Sequence, residues 1–362
     1  MMTNMKHILP LIAVALLAFT SCKVEFSPNA PWRDIPSVYC VLDPEEDTVW
    51  VRLQRCYLGE DNLYNYSSIA DSNYYLPDAV SVHLLAWKGI RGDNNSLTAS
   101  EKLVDRWQLA YTEREGKPEG NFPSGRQPVY YCVPGDRMLA DTDCVFQLVI
   151  IRNADGDTLA TASTSMVGFL PKKITYTDTL EEVLTNPNAL RGHEFGFIIG
   201  CRGRLQWNTL PRGRLYQPFI TFYYKKLRDT LHFTIPGTTV KNPGNAISLS
   251  CIPFTQDYYF DYIRRQLADN TDSLFTVNNV DITIAVCNED LNAYITSLDH
   301  TVMGGQDNPT YSNIKGGVGI FGSRRSHIVI NMPCDSVGKP GYIPDRLYNL
   351  GVGFYGHFSQ NK

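Results

Sequence analysis

The chain has 362 residues, enough for two domains, and 43% of them are hydrophobic. Its formal net charge is −4 and neither sign of charge forms a long run, which argues against nucleic acid as a partner. After Phe19, no stretch is apolar for the roughly 20 residues that a membrane-spanning helix needs.

Residues 1–21 have the pattern of a secretory signal peptide. Lys6 and His7 precede a short apolar run that ends at Phe19, and two small residues then stand directly before Cys22. This junction resembles a bacterial lipobox with Phe19 in place of the usual Leu. The resemblance implies that Cys22 is lipidated, with palmitate as an acyl group, and that the chain is stably anchored to a membrane. The alternative is an ordinary cleaved signal in which Cys22 is incidental.

The first half of the mature chain reads as a series of short strands. Residues 22–34 form a tether, and Asp155-Gly156 is the best hairpin signal in the chain. The strand-like runs are "SVYCVL", "TVWVRLQRCYLG", "AVSVHLLAW", "QPVYYCV", "CVFQLVII" and "TLATASTSM". Such short strands with almost no helical periodicity predict an immunoglobulin-like β-sandwich over residues 35–167.

The second half, residues 174–362, follows a linker at 168–173 and mixes strands with a few short helices. Phe260, Ile263 and Leu267 fall on one helical face, and Asn288 and Asp178 are placed to cap two further helices. The strand-like runs are "EFGFIIGC", "RLYQPFITFYYKK", "TLHFTI", "AISLSCI", "VDITIAVC" and "SHIVINM". "PDRLYNLG" reads as a last short helix that Gly351 ends. The sequence therefore predicts a mainly β protein whose second domain is β-rich and carries a few short helices.

Gly317 to Gly322, "GVGIFG", fits the G-x-G-x-x-G pattern of dinucleotide-binding enzymes. That fingerprint needs a strand before it, a helix opening inside it, and an acid about 20 residues onward. The preceding residues read as a loop, and "SHIVINM" after it reads as a strand. These flanks favour a glycine-rich turn that leads into a strand, and they predict no nucleotide cofactor.

Eight cysteines remain besides Cys22. An exported chain meets an oxidising compartment, so disulfides are possible, and eight cysteines allow on the order of 100 pairings. Cys40 and Cys287 lie inside apolar strand-like runs, which favours buried thiols that act as small hydrophobic residues. No C-x-x-C pair is present, so the pattern indicates neither redox nor zinc chemistry.

No catalytic or metal-binding set stands out. The seven histidines form neither H-x-H nor H-E-x-x-H, and no serine lies in a G-x-S-x-G elbow. Asn153, Asp155 and Asp157 could offer oxygen ligands to calcium, but a hairpin turn explains them better. Asp257 and Asp261 resemble a carboxylate pair, but the helix dipole and the neighbouring arginines explain them better.

One stretch suits recognition. Tyr64, Tyr66, Tyr74 and Tyr75 stand among polar residues in "YNYSSIADSNYYLPDA", without strand alternation. A loop tyrosine presents a rigid apolar face together with a hydroxyl, so these four are candidates for binding a ligand or partner. The alternative is that they are structural tyrosines buried in a sandwich.

Three segments resemble one family. These are "PSVYCVLDPEEDTVWVRLQRCYLG", "LQWNTLPRGRLYQPFITFYYKK" and "TYSNIKGGVGIFGS". In this order, behind Cys22, they are similar to Bacteroidota lipoproteins catalogued as domain of unknown function 4249. The resemblance implies an outer-membrane lipoprotein, often encoded beside a TonB-dependent receptor, with no assigned catalytic residues. Whether the chain faces the periplasm or the cell surface stays open.

Two functional hypotheses follow. The first is a non-enzymatic accessory lipoprotein of the outer membrane that binds a TonB-dependent nutrient transporter, its substrate, or both. The second is a glycan- or peptide-degrading enzyme with an unrecognised carboxylate pair in the second domain, since such chemistry needs no local motif.

Overall fold

A computed structural model describes thirteen segments of the chain. They are residues 33–56, 64–67, 69–93, 96–117, 125–135, 143–168, 174–177, 204–244, 246–251, 254–269, 275–301, 311–333 and 343–354. The predicted signal peptide, the tether up to residue 32, most of the linker, the helix capped by Asp178 and the strand "EFGFIIGC" lie outside the described residues.

The described residues form sixteen strands and five helices. The strands are β1 (Pro36–Leu42), β2 (Val49–Arg55), β3 (Val80–Arg91), β4 (Leu97–Gln108), β5 (Ala110–Lys117), β6 (Gly125–Cys132), β7 (Cys144–Arg152), β8 (Thr158–Ser165), β9 (Ile174–Thr177), β10 (Arg204–Asn208), β11 (Leu215–Lys226), β12 (Asp229–Pro236), β13 (Val240–Lys241), β14 (Ser248–Cys251), β15 (Phe275–Cys287) and β16 (Val318–Pro333). The helices are α1 (Tyr64–Ser67), α2 (Ala70–Asn73), α3 (Gln256–Gln266), α4 (Glu289–Thr301) and α5 (Ile343–Asn349). The prediction of a mainly β fold with a few short helices is confirmed.

The strands form three sheets. One has nine strands in the order β12-β11-β15-β16-β1-β2-β6-β5, with β13 pairing β11. A four-stranded sheet runs β4-β3-β7-β8 and a three-stranded one runs β14-β10-β9. Alternation explains the strands: Val38, Cys40 and Leu42 of β1 are buried while the residues between them are more exposed, as a sheet with one covered face requires.

Two hydrophobic cores lie within this architecture. The first joins inward side chains of β1, β2 and β6 to those of β3, β7 and β8, so two sheets pack face to face as a sandwich. The second is rich in aromatic residues and joins β11 and β15 to α3 and α5. Met166 belongs to the first core and Val167 to the second, directly before the predicted linker. The domain boundaries themselves stay a prediction.

Strand β16 belongs both to the first sandwich and to the part of the chain that forms the second core. Its beginning, Val318 to Ser323, pairs in parallel with β1, and the residues from Arg324 onward pair antiparallel with β15. Ile314 and Phe321 accordingly pack in the first core although they lie late in the chain. One strand therefore completes the first sandwich and continues the sheet of the second part.

The glycine string lies mainly in this strand. Gly316 has a positive φ of 82° in a turn, but the strand begins at Val318, so the prediction of a turn over Gly317 to Gly322 was wrong for most of its length. The reason is close packing. A side chain at Gly322 would press on Leu291 of α4, and one at Gly319 would run into the carbonyl oxygen of Val38 on β1.

Several predictions about the ends and buried faces of helices are confirmed. The side chain of Asn288 caps α4 by accepting the N–H of Leu291 over 3.2 Å. Phe260, Ile263 and Leu267 are buried along one face of α3 and just beyond its end. Gly351, with φ of 69°, follows α5. These confirmed predictions rest on side-chain chemistry that acts within one or two turns.

Candidate functional site

A pocket of about 420 Å³ lies at one end of the first sandwich, where the chain enters β1. The end of β2, the loop before β3, the end of β7 and the turn after it surround the pocket. The lining residues are Asp34, Arg55, Tyr75, Asp78, Ala79, Val80, Arg152, Asn153 and Ala154. Pockets for small ligands typically range from about 300 to 1,000 Å³, so this one suits a compact ligand.

Asp34 is the centre of the polar contacts in this pocket. It accepts a hydrogen bond from the hydroxyl of Tyr75 over 2.8 Å. The Nε atoms of Arg55 and Arg152 each lie 3.9 Å from one of its carboxylate oxygens, and its side chain is 14% exposed. The Arg55 guanidinium also lies over the Tyr75 ring, 5.4 Å from the ring centroid. Three charged or polar groups from distant parts of the sequence therefore meet around one carboxylate.

The loop that carries Tyr75 is held by Asn73. The buried Asn73 amide donates to the carbonyl oxygens of Tyr66 at 3.2 Å, Ser67 at 2.9 Å and Ile69 at 2.7 Å. These bonds fold α1 and α2 into a compact unit, because they satisfy backbone acceptors that short helices leave unpaired. Tyr75 is thereby presented to the pocket from a fixed backbone.

Asn153 holds the opposite wall. Its amide donates to the carbonyl of Asp78 over 2.8 Å, and its carbonyl oxygen accepts from the hydroxyl of Ser81 over 2.7 Å. Its backbone N–H donates to the carbonyl of Ala79 over 3.0 Å. These bonds tie the turn after β7 to the start of β3. They therefore fix the end of β7, which carries the Arg152 side chain.

The ionisable groups near the pocket favour recognition over acid–base chemistry. Burial, followed by the hydrogen bond to Asp34, raises the pKa of Tyr75 above its ordinary value of 10.0. Burial also raises the pKa of the adjacent Cys56 thiol. Both groups therefore stay neutral near pH 7, and Tyr75 acts as a hydrogen-bond donor rather than as a base.

The pocket offers groups that recognise anions. A guanidinium presents planar, paired N–H donors that match a carboxylate or phosphate. Arg55 and Arg152 each approach Asp34 at 3.9 Å, and the Arg152 guanidinium also pairs with Asp155 at 2.8 Å. A ligand carboxylate would therefore compete with these acids for the guanidinium donors.

The four predicted tyrosines do not form one surface. Tyr75 lines the pocket, with only 7% of its surface exposed. Tyr74 is also buried, and its hydroxyl has no hydrogen-bond partner among the described residues. Tyr66 is half-buried, and Tyr64 is the first residue of α1. Their role in ligand or partner binding stays a prediction, and the structure brings Tyr75 to a pocket.

Sequence reasoning missed Asp34, Arg55 and Arg152. They lie in three separate parts of the chain, and only the fold brings them together. Arg152 stands next to the hairpin that the sequence did predict, where its N–H donates to the carbonyl of Asp157 over 2.8 Å and its guanidinium pairs with Asp155 at 2.8 Å. That hairpin confirms the interpretation of Asn153, Asp155 and Asp157 as residues of a turn. In the part of the chain that the structure describes, no group of three potential metal ligands occurs.

Several described carboxylates of the second half take part in structural contacts. Asp281 accepts from Tyr223 over 2.9 Å, and Asp290 accepts from Tyr311 over 2.9 Å. Asp261 pairs with Arg264 at 2.7 Å, in line with the structural interpretation of the acids on α3. The enzyme hypothesis stays a prediction without an observed site.

The described cysteines carry no disulfide to one another. These are Cys40, Cys56, Cys132, Cys144, Cys251 and Cys287. Four of the six are buried, as the apolar strand pattern predicted. Cys22, the predicted lipidation site, and Cys201 and Cys334 lie outside the described residues.

Within the described segments, no helix has both the length and the apolar character needed to cross a membrane.

Comparison with known proteins adds little to this picture. No family model matches the chain, and no curated protein matches it. Among solved structures, a chain of "Cytokine receptor complex - Crystal form 1A" matches with 10% identity, over 71% of this chain and 86% of that chain. Its TM-score of 0.19 is too low to carry an argument about fold or function.

Proposed function

We propose that the protein is a non-enzymatic lipoprotein of the outer membrane, anchored through Cys22, that acts as an accessory partner of a TonB-dependent nutrient transporter. The observation that supports a binding role is the convergence of Arg55, Arg152 and Tyr75 on Asp34 in one pocket. These groups recognise a ligand by charge and hydrogen bonding. The signal peptide, the lipobox-like junction and the family resemblance support the location.

The pocket also suggests what a ligand would look like. Two guanidiniums, two carboxylates, a phenol and an amide line a volume of about 420 Å³ together with Ala79, Val80 and Ala154. This balanced set fits a small solute that carries both donors and acceptors, such as a short peptide. We expect the transporter partner to take up a nutrient of this kind.

The test is affinity purification of the full chain, tagged at its C-terminus, from detergent-solubilised native membranes, with mass spectrometry of the accompanying proteins. We expect stoichiometric recovery of a TonB-dependent receptor. Cys22→Ser, which removes the anchor, should reduce that recovery strongly, whereas the exposed substitution Leu227→Ser should leave it unchanged.

Two outcomes contradict the proposal. Recovery of the lipoprotein alone would remove the transporter role. Hydrolysis of a glycan or peptide by the purified chain would replace it with the enzyme hypothesis. Arg152→Ala tests the pocket independently of the partner surface. It should lower uptake of the growth substrate while the receptor is still recovered.

A further inference from the structure

The outward face of the first sandwich carries a stack of aromatic and arginine side chains over the neighbouring strands β2, β6 and β5. Trp50 of β2 lies opposite Tyr131 of β6 in the strand register, and their ring centroids are 5.4 Å apart. The Arg114 guanidinium of β5 lies over the Trp50 ring, 4.4 Å from its centroid. Because β6 lies between β2 and β5, this stack crosses the sheet from one strand to the next but one.

Two more residues extend the stack toward β1. Arg52 follows Trp50 by two positions, so it emerges on the same face about 7 Å away. Tyr39 of β1 is the cross-strand neighbour of Arg52, and its ring lies 6.3 Å from the ring of Tyr294 on α4. We call the five strand residues together the aromatic–arginine face: Tyr39, Trp50, Arg52, Arg114 and Tyr131. Arg114 and Tyr39 are exposed and the other three are half-buried.

The aromatic–arginine face is positively charged. By strand alternation, the outward positions of β1, β2 and β6, and those of β5 as far as Arg114, hold two arginines and no acid. Neither Arg52 nor Arg114 forms an ion pair with an acid of the described segments. On β5, Glu115 pairs with Arg126 at 3.5 Å rather than with Arg114. Two guanidiniums without neighbouring carboxylates favour a partner that supplies carboxylates.

The same face holds hydrogen-bond donors that lack acceptors. The Nε atom of Arg52 and the Nε2 atom of Gln127 are buried, and neither has a hydrogen-bond partner in the part of the chain that the structure describes. Gln127 is the cross-strand neighbour of Arg114, so it belongs to the same region of the sheet. Unsatisfied donors of this kind are destabilising, and a partner that brings carboxylate or carbonyl oxygens would relieve the cost. On the outward face of the other sheet, by contrast, Trp87 donates to Gln147 over 2.9 Å.

We propose that the aromatic–arginine face docks an acidic segment of the TonB-dependent receptor, with carboxylates of that segment on Arg52 and Arg114 and its apolar side chains against Trp50 and Tyr131. Trp, Tyr and Arg are the residues enriched at the centres of protein–protein interfaces, which favours a protein as the occupant. A second copy of this chain fits poorly, because a two-fold contact places the same positive face on both sides. This inference rests on the proposed function, which supplies the partner.

The first test measures how much receptor is recovered with the full lipidated chain from native membranes. Arg114→Glu should lower that recovery about tenfold or more, because it sets like charges against each other. The matched control is Arg126→Glu, which makes the same charge change on the neighbouring strand, at a residue that pairs with Glu115. Both arginines are exposed, so circular dichroism should show an unchanged fold for both variants. Raising the salt to about 1 M should release the receptor from the wild-type chain.

The second test identifies what touches the face. Tyr131→p-benzoylphenylalanine places a photo-crosslinker in the stack, and irradiation of intact cells followed by mass spectrometry gives the peptide bound to it. We expect a receptor peptide that contains Asp or Glu. Exchanging that acid for Arg in the receptor should restore recovery with the Arg114→Glu chain, because the charges are then complementary again.

The outcomes separate the two proposals. Absence of a receptor from the wild-type purification overturns the proposed function, and this inference with it. Full receptor recovery with Arg114→Glu overturns the docking face alone and leaves the proposed function standing. A cross-link from position 131 to a second copy of this chain, or to an anionic glycan, also overturns the docking face.

Discussion

Gly319 of β16 lies against Val38 of β1 so closely that any side chain at position 319 would meet the Val38 carbonyl oxygen. Gly319 also has a φ of 115°, a conformation that residues with a side chain rarely adopt. The parallel pairing that completes the first sandwich therefore depends on glycine at this position.

Gly319→Ala should lower the free energy of unfolding by about 3 kcal/mol or more, because strain and a clash with backbone act together. Gly156→Ala is the matched control, since Gly156 also has a positive φ but nothing lies within 4 Å of the added carbon. It should cost only about 1 kcal/mol. Urea denaturation followed by circular dichroism measures both, and equal losses would contradict the role of the close contact.

Asn288 joins three segments. Its carbonyl oxygen accepts from Ser323 over 3.1 Å, and its amide donates to the Thr164 hydroxyl over 2.7 Å and to the Ser165 carbonyl over 3.1 Å. Asn288→Ala removes these hydrogen bonds and the cap of α4 and leaves the buried Ser323 N–H without this acceptor, so it should lower the free energy of unfolding by about 3 kcal/mol. Half-buried Asn242→Ala should cost about 1 kcal/mol in the same denaturation assay. Similar losses for both variants would show that Asn288 does not join the segments.

Stability should fall at alkaline pH. Burial raises the pKa of Tyr130 and of Tyr216 to about 12, from 10.0. Below pH 10 these phenols are protonated in both states, so their contribution is fully present; between pH 10 and 12 the unfolded chain ionises first and the contribution is lost. Tyr130→Phe should flatten this loss in denaturation curves at pH 9, 10 and 11, because it removes one of the two titrating phenols. The substitution breaks no hydrogen bond among described residues, since the Tyr130 hydroxyl has no partner there. An unchanged slope for Tyr130→Phe would contradict the assignment.

The buried thiols should resist alkylation. Burial raises the pKa of Cys40 well above 9.0, that of Cys132 to about 12 and that of Cys287 to about 11. Since the thiolate is the nucleophile, iodoacetamide at pH 8 should leave these three unmodified in the native chain and modify all of them in guanidinium. Among the described cysteines, the half-buried Cys56 should react first. Mass spectrometry of tryptic peptides reads the order, and rapid native labelling of Cys40 would contradict it.

The strands were predictable where burial imposes alternation on one face. β1 and β11 show this, with buried residues at every second position. β4 and β5 were not predicted, because both are mostly exposed strands at the ends of their sheets and their sequences, with Glu101, Lys102 and Arg114 among them, carry no apolar alternation. The start of β16 was missed because glycine is read as a turn signal, while here it permits close approach of two strands.

The pocket was predictable only through Tyr75. An aromatic residue in a polar loop is visible within a short window of sequence. Arg55 and Arg152 contact Asp34 only because β2 and β7 end at the same side of the sandwich, which follows from the sheet order. Caps and turns can be predicted from residues that are neighbours in the sequence. A site at the ends of several strands can be predicted only when the order and register of the whole sheet are known.

Strand β16 has a consequence for how the chain acquires its structure. The ion pair between Arg324 and Asp43 joins residues 281 positions apart, and β1 finds its parallel neighbour only in the same late segment. Closing so long a loop is slow, because its entropy is lost before the contacts form. A nascent first sandwich would leave one side of β1 open, ready to pair with another chain, until residues 318–323 arrive. The first sandwich can therefore close fully only late in synthesis, after most of the chain has been made.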